Sequence, residues 1–161
     1  MALRFRDLGQ TLDDFRHEYL VRCPQCGTQA RVVPLAGETL AAPVARRLVC
    51  AHCGLTKDRG ARVYPPREQD AWYEQLELWL QTPCCGETLW AYNADHLDFL
   101  EQYVAAPLRE RAHPDGTTLS RTGARNSSLA SRLPAWIKSA RNRNDVLRCI
   151  GKLRRMLESP P

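Results

Sequence analysis

The sequence predicts an α+β protein, with short strands in its N-terminal half and helices in its C-terminal half. Two similar cysteine motifs, RCPQCG at 22–27 and VCAHCG at 49–54, are each flanked by segments typical of strands. The segment at 142–158 instead repeats apolar residues at helical spacing. At 161 residues, the chain can form one domain, or two small ones that share an interface.

Strands are expected on both sides of each cysteine motif. The β-branched and alternating segments are EYLVR and ARVV around the first motif, and RRLV and ARVYP around the second. Between them, PLAGETLAAP is typical of a loop because proline and glycine lie near its ends. The pattern strand, cysteine pair, strand therefore occurs twice.

A β-hairpin and a helix are predicted for the middle of the chain. QLELWLQ alternates, with Leu76, Leu78 and Leu80 on one face of a single strand, and ETLWAYN forms the second strand after a turn in TPCCGE. A helix follows with Asn93 or Asp95 as its N-cap, and Pro107 ends or kinks it. Its apolar stripe consists of Leu97, Leu100 and Val104, widened by Phe99 and Tyr103.

The C-terminal segment is predicted to hold a loop and then helices. A short helix runs from Asn126 through Leu133, and Pro134 occupies the first position of another. The clearest helix has Asn142 as its cap. Its buried stripe consists of Val146, Ile150, Leu153 and Leu157.

The two cysteine motifs are interpreted as two halves of one tetrahedral zinc site. Two cysteines three positions apart can bind one ion only if the backbone between them turns tightly, and each pair is followed by a glycine, which adopts positive φ easily. Four thiolates fill the four positions of a tetrahedral zinc ion. The predicted ligands are Cys23, Cys26, Cys50 and Cys53, with one structural Zn²⁺ per chain.

Other uses of the cysteines are less consistent with the sequence. A redox dithiol of the thioredoxin kind begins a helix, whereas the first motif runs into TQARVVP, which is extended. His52 within the second motif could replace a thiolate, but is expected to be a surface residue. Cys84 or Cys85 could join His96 or His113 in a second metal site. We instead expect Cys84, Cys85 and Cys149 to be dispensable for metal binding.

The repeated strand and cysteine-pair pattern resembles a zinc ribbon of the transcription factor IIB type over residues 17–65. The four cysteines and two glycines carry this resemblance, which implies a structural zinc ion and a small β-sheet. The segments CCGETLWAYNADHLDFLEQYVAAPLRER and LASRLPAWIKSARNRNDVL are also similar to a small bacterial family known only as zinc-ribbon-containing. The expected organisation is a zinc ribbon with an N-terminal extension at 1–67, packed as one unit with a hairpin and helices at 68–161.

Charge is segregated along the chain. Residues 1–67 hold 11 basic and 6 acidic side chains, residues 68–110 hold 1 and 9, and residues 111–161 hold 11 and 3. Basic residues near the cysteine motifs either compensate the negative charge of a zinc–thiolate centre or bind phosphate. This group consists of Arg22, Arg46, Arg47, Lys57 and Arg59.

The basic C-terminal helix predicts contact with DNA or RNA, or with a nucleic-acid-processing machine. The candidate phosphate-binding residues are Arg141, Arg148, Lys152 and Arg155, which lie off the apolar stripe. This face could instead be solvated or docked on the acidic segment. The alternative function is a protein-interaction adaptor that uses the acidic, aromatic segment 68–110, which holds 7 of the 12 aromatic residues. We expect no enzyme and infer no small-molecule substrate, because the sequence contains no recognisable nucleophile–base set or open metal site.

The sequence favours a cytoplasmic protein without a membrane span. No run approaches the roughly 20 apolar residues that a transmembrane helix needs. The N-terminal segment lacks the apolar core of a signal peptide. Seven cysteines is an odd number, whereas a secreted disulfide framework tends to an even one.

Overall fold

The computed structural model describes residues 4–35, 45–60, 72–73, 75–111 and 128–158, and it confirms the α+β class. The strands are β1 (Arg4–Asp7), β2 (Tyr19–Arg22), β3 (Gln29–Pro34), β4 (Arg46–Val49), β5 (Thr56–Arg59), β6 (Trp72–Tyr73), β7 (Leu76–Glu77), β8 (Leu80–Cys84), β9 (Glu87–Ala91) and β10 (Leu108–Arg111). The α-helices are α1 (Ala94–Ala105), α2 (Leu129–Arg132), α3 (Ala135–Lys138) and α4 (Arg143–Glu158). Two 3₁₀ turns span Leu12–Phe15 and Ala140–Asn142.

Strands β2 to β5 form an antiparallel sheet in sequence order. Val32 on β3 lies opposite Tyr19, while Leu48 on β4 lies opposite Val32, and all three side chains are buried. The fourth strand is TKDR. It begins only two residues after the second cysteine motif ends at Gly54, because the turn of that motif places Thr56 opposite Val49. The strand predicted for ARVYP lies outside the described residues.

The predicted hairpin is present as β8 and β9, but QLELWLQ is not one strand. It breaks into β7 and β8, and Leu78 between them bridges to Val21 of β2. The break has a physical reason: Leu76 and Leu78 pack into the sheet, whereas Leu80 faces the helices. Between them, the backbone N–H of Trp79 donates to the Leu20 carbonyl (2.9 Å). This hydrogen bond holds the chain on β2 at the point where it passes from the sheet to the helical core.

The helices form the larger part of the core against β8 and β9. On α1 the stripe of Leu97, Leu100 and Val104 is buried as predicted. On α4 the residues Val146, Ile150 and Leu153 are buried, while Leu157 is partly buried. α1 ends at Ala105, before the proline expected to stop it. α2 spans four residues, fewer than the predicted 126–133, and α3 also spans four, with Pro134 just before its first residue and not in its first position.

A two-stranded parallel pairing of β1 with β10 was not predicted. Arg4 lies opposite Leu108 and Asp7 opposite Arg111, so segments about 100 residues apart in sequence are neighbours. Phe5 of β1 meets the edges of two aromatic rings of α1, with centroids 5.4 Å from Phe99 and 5.1 Å from Tyr103. This contact fixes the N-terminal segment on the helical core.

Candidate metal centre

The four predicted ligand cysteines converge at one end of the four-stranded sheet. All four sulfur atoms lie within 4.8 Å of one another. The Cys23–Cys53 sulfurs are 3.7 Å apart and the Cys26–Cys50 sulfurs 3.6 Å apart. Sulfurs about 2.3 Å from a tetrahedral zinc ion are about 3.8 Å from each other. The four thiols can therefore hold a metal ion.

Both cysteine pairs lie in turns of the same construction, one between β2 and β3 and one between β4 and β5. In the first turn, the Gly27 N–H donates to the Cys23 carbonyl (2.9 Å); in the second, the Gly54 N–H donates to the Cys50 carbonyl (3.0 Å). Both glycines have positive φ, +75° and +76°, which glycine adopts without steric cost. The repeated sequence thus produces a repeated backbone.

Hydrogen bonds from the turns stabilise negative charge on two of the sulfurs, those of Cys26 and Cys50, whereas the pKa of Cys53 is raised. The N–H groups of Cys53 and His52 point to the Cys50 sulfur and lower the pKa of that thiol, the Cys53 contribution being the larger. At Cys26, the Thr28 hydroxyl and then the Thr28 N–H lower the thiol pKa to about 5. Since thiolates are the metal-binding form of cysteine, these donors favour metal binding.

Thr28 belongs to the candidate metal centre, although the sequence pattern did not predict it. Its hydroxyl is 3.0 Å from the Cys26 sulfur and 3.6 Å from the Cys50 sulfur, so it contacts one ligand from each turn. The sequence carried a signal, because threonine follows the first motif where leucine, Leu55, follows the second.

We predict that Thr28→Val weakens metal binding about tenfold or more, because loss of a hydrogen bond to a ligand typically has this effect. Competition with a chelator of known zinc affinity measures the change. Thr56→Val is the matched control, since Thr56 is exposed on β5 and should leave the affinity unchanged. Equal affinity of Thr28→Val and wild-type protein would remove Thr28 from the site.

The other cysteines and histidines of the described ranges lie outside this group. His52 is exposed, as expected, and belongs to no described cluster of metal ligands. Cys84 and Cys149 are buried between the β8–β9 hairpin and α4, and Cys85 is exposed at the hairpin turn. His113 lies outside the described residues.

His96 serves the core, away from the three remaining cysteines. Its ring stacks on Phe15 at 5.0 Å, and its Nδ1 accepts the backbone N–H of Tyr92 (3.2 Å). Burial lowers the pKa of His96 to about 3, so the ring is neutral at physiological pH. The alternative of a second metal site that includes His96 has no support in this geometry.

The arginines near the cysteine motifs make contacts within the sheet. Arg46 is buried with its guanidinium 4.8 Å from the Tyr19 ring centre. Arg22 lies over Trp79, and Arg47 forms two hydrogen bonds to Asp58 across β4 and β5, of 2.6 and 2.9 Å. These three side chains therefore make contacts within the fold. The sequence had predicted only compensation of zinc–thiolate charge or phosphate binding for them.

The four candidate phosphate-binding residues are all exposed. Arg148, Lys152 and Arg155 follow one another at i, i+4 and i+7 on α4, opposite its buried stripe, and Arg141 precedes the helix in the 3₁₀ turn. We call these four residues the basic stripe. Arg148 forms an exposed ion pair with Asp145, at 2.9 Å.

The acidic helix α1 meets a different arginine. Arg154 reaches from α4 to Asp98, 2.5 Å away, and also contacts Glu101. The hydrogen bond to Asp98 is the largest cause of a raised pKa of Arg154. The basic stripe is therefore not the part of α4 that docks on the acidic carboxylates of α1.

The fold and the site define an α+β protein with a four-cysteine centre that can hold a metal ion. Comparison of the chain with protein-family models, with curated proteins and with solved structures found no match in any of the three. Within the described ranges, no helix is both long and apolar enough to cross a membrane.

Proposed function

We propose that this chain is a structural-zinc protein of the zinc-ribbon kind that contacts nucleic acid through the basic stripe. The zinc part of the proposal rests on four sulfurs at the spacing of a tetrahedral S₄ site. Four thiolates leave no position for water or substrate, so the ion would stabilise the fold and perform no catalysis.

One observation supports the nucleic-acid part: the stripe is exposed while its neighbour Arg154 is engaged by α1. Lysine and arginine side chains that remain in solvent keep their charge available for phosphate groups. Along α4, Arg148 and Arg155 are about 10 Å apart, from a rise of about 1.5 Å per residue. A row of this length suits a phosphate backbone.

The second candidate function, a protein-interaction adaptor, depends on accessible aromatic residues in the acidic segment 68–110. Of the aromatic side chains that the structure describes in this segment, Trp79, Phe99 and Tyr103 are instead buried in the helical core, and Trp90 and Tyr92 are partly buried. Aromatic side chains that fill a core cannot anchor a partner. We therefore rank this function below nucleic-acid contact.

We predict salt-dependent binding of the zinc-loaded protein to duplex DNA or RNA. Each phosphate contact releases counterions, so four contacts to duplex DNA give a slope of log K against log salt of about −3.6. The double variant Arg148→Gln, Lys152→Gln should make the slope of log K against log salt less negative by about two. It should also weaken binding to all sequences alike. Fluorescence anisotropy across a salt series measures both slopes.

The matched control removes one arginine and one lysine elsewhere. Arg31→Gln with Lys57→Gln changes two exposed positions of the sheet and should leave the slope unchanged. An equal loss in both double variants would mean general charge attraction without a stripe. No salt-dependent binding by the wild type would contradict nucleic-acid contact, while leaving the zinc site unaffected.

A further inference from the structure

The turn of the β8–β9 hairpin carries a cysteine where the backbone disfavours one. Cys84 pairs with Glu87, so Cys85 and Gly86 alone form the turn, with φ of +54° and +82°. Turns with two positive φ values strongly favour Asn-Gly or Gly-Gly. A cysteine there costs about 1 kcal/mol or more, and its exposed side chain gains no core packing in return. Such an outlier suggests a chemical role for Cys85.

A second thiol lies next to Cys85 in a contrasting environment. The Cys84 and Cys85 sulfurs are 3.9 Å apart, yet Cys84 is only 3% exposed. The Cys84 sulfur faces α4, where it is 3.9 Å from the Asp145 carbonyl oxygen. Burial is the largest cause of a raised pKa of Cys84, so this thiol is the less reactive one. The pair therefore combines one accessible and one protected thiol.

We propose that Cys85 is a site of reversible oxidation by hydroperoxides and that Cys84 completes the reaction by forming a disulfide with it. The proposal goes beyond nucleic-acid contact and does not depend on it. It commits to Cys84 and Cys85 because their sulfurs are 3.9 Å apart and one of the two is exposed to solvent, whereas the Cys149 thiol, which also interacts with Cys84, is buried.

The reaction has two steps. The Cys85 thiolate attacks one oxygen of the hydroperoxide; the O–O bond breaks, the sulfur is oxidised to a sulfenic acid, and the alcohol or water leaves after taking up a proton. The Cys84 sulfur then attacks the Cys85 sulfur, an S–S bond forms, and the S–O bond breaks. The hydroxide leaves with the Cys84 proton as water. In total, two thiols and one hydroperoxide give one disulfide, one alcohol and one water.

The product should be easily reduced. Adjacent Cα atoms are about 3.8 Å apart, whereas disulfide-bonded residues usually have Cα atoms about 4.4–6.8 Å apart. A strained disulfide has a higher reduction potential and returns readily to thiols, as in regulatory disulfides. Forming it also shortens the distance between the two sulfurs from 3.9 Å to about 2.0 Å, and we expect this to weaken the contact of Cys84 with α4.

The test exposes zinc-loaded protein to increasing hydrogen peroxide and follows intact mass, disulfide mapping and zinc release. We expect a loss of two hydrogen atoms, a disulfide mapped to Cys84 and Cys85, full recovery with a dithiol reductant, and retained zinc. Cys85→Asn should fold well, since asparagine suits the turn, and it should show no such mass loss. In Cys84→Ala, the sulfenic acid should persist at Cys85 and react with a 1,3-diketone probe.

Three results would overturn the proposal. A disulfide that still forms in Cys85→Asn would show that Cys85 is not the first thiol to react. Mapping of the disulfide to any other pair of cysteines would exclude Cys84 as its partner. Zinc release at peroxide doses below those that oxidise Cys85 would place the sensitive thiols in the metal centre. The wild-type and Cys85→Asn measurements decide the matter even if Cys84→Ala fails to fold.

Discussion

Replacing Cys50 with serine should abolish stoichiometric zinc binding and unfold the four-stranded sheet. Cys50 is 1% exposed, and its sulfur lies 3.6 Å from the sulfur of Cys26 in the other turn and within 4.8 Å of the remaining two sulfurs. Metal binding to a small structural site contributes on the order of 10 kcal/mol to folding. The sheet's own core is small, with residues such as Val21, Val32 and Leu48, so it should not fold without that contribution.

Zinc content by elemental analysis and hydrogen exchange across residues 19–59 measure the two effects. The helical core around α1 and α4 should keep its protection, because its apolar contacts lie mostly outside the sheet. Cys149→Ser is the control: it also places a serine at a buried cysteine, but should retain one zinc ion per chain. Stoichiometric zinc in Cys50→Ser would contradict the assignment of the ligands.

Replacing Asn93 with aspartate should lower the free energy of unfolding by about 3–5 kcal/mol at neutral pH. Asn93 is 1% exposed and caps α1, with its side-chain oxygen accepting the His96 N–H (3.0 Å). Its amide nitrogen donates to the carbonyls of Phe15 (2.7 Å) and Glu18 (2.8 Å). Aspartate keeps the cap but loses both donors and places a negative charge against two carbonyl oxygens.

The loss in free energy of unfolding caused by Asn93→Asp should become smaller as the pH falls. Burial next to carbonyl oxygens raises the folded-state pKa of the new carboxyl above its unfolded value of about 3.9. The penalty is therefore full at high pH, where the group is charged, and relieved below its folded-state pKa, where a protonated carboxyl can donate one hydrogen bond.

Denaturant unfolding in a constant excess of zinc between about pH 5.5 and pH 7.5, where the thiolates can still hold the ion, tests this. Asn144→Asp is the control for the same chemical change, because Asn144 is exposed near the start of α4 and should change stability by less than about 0.5 kcal/mol. Similar deficits in the two variants would show that the buried hydrogen bonds of Asn93 contribute little.

The sequence alone identified the four cysteines that can hold a metal ion, because the turns that carry them are local structures. A cysteine pair followed by glycine specifies a tight turn that a few residues can form, and the repetition of RCPQCG as VCAHCG specifies two such turns. The cap of α1, narrowed by the sequence to Asn93 or Asp95, and the apolar stripe of α4 were likewise predictable, since each depends on residues within a few helical turns.

Tertiary structure decided the features that depend on distant contacts. The alternation of QLELWLQ is that of one strand, but its leucines serve two cores, so the strand breaks at Trp79. The pairing of β1 with β10 requires Phe5 to meet a helix about 95 residues later, which no local pattern encodes.

The contacts of each arginine could be assigned only from the structure, because the number of charged residues in a segment does not show which side chain has a partner. Arg154 and Arg155 are adjacent and chemically identical, yet the helical rotation of about 100° between them turns one toward Asp98 and the other into solvent. The short-range sequence pattern therefore specified the candidate metal centre, and the packing of α4 on α1 decided which charges remain exposed.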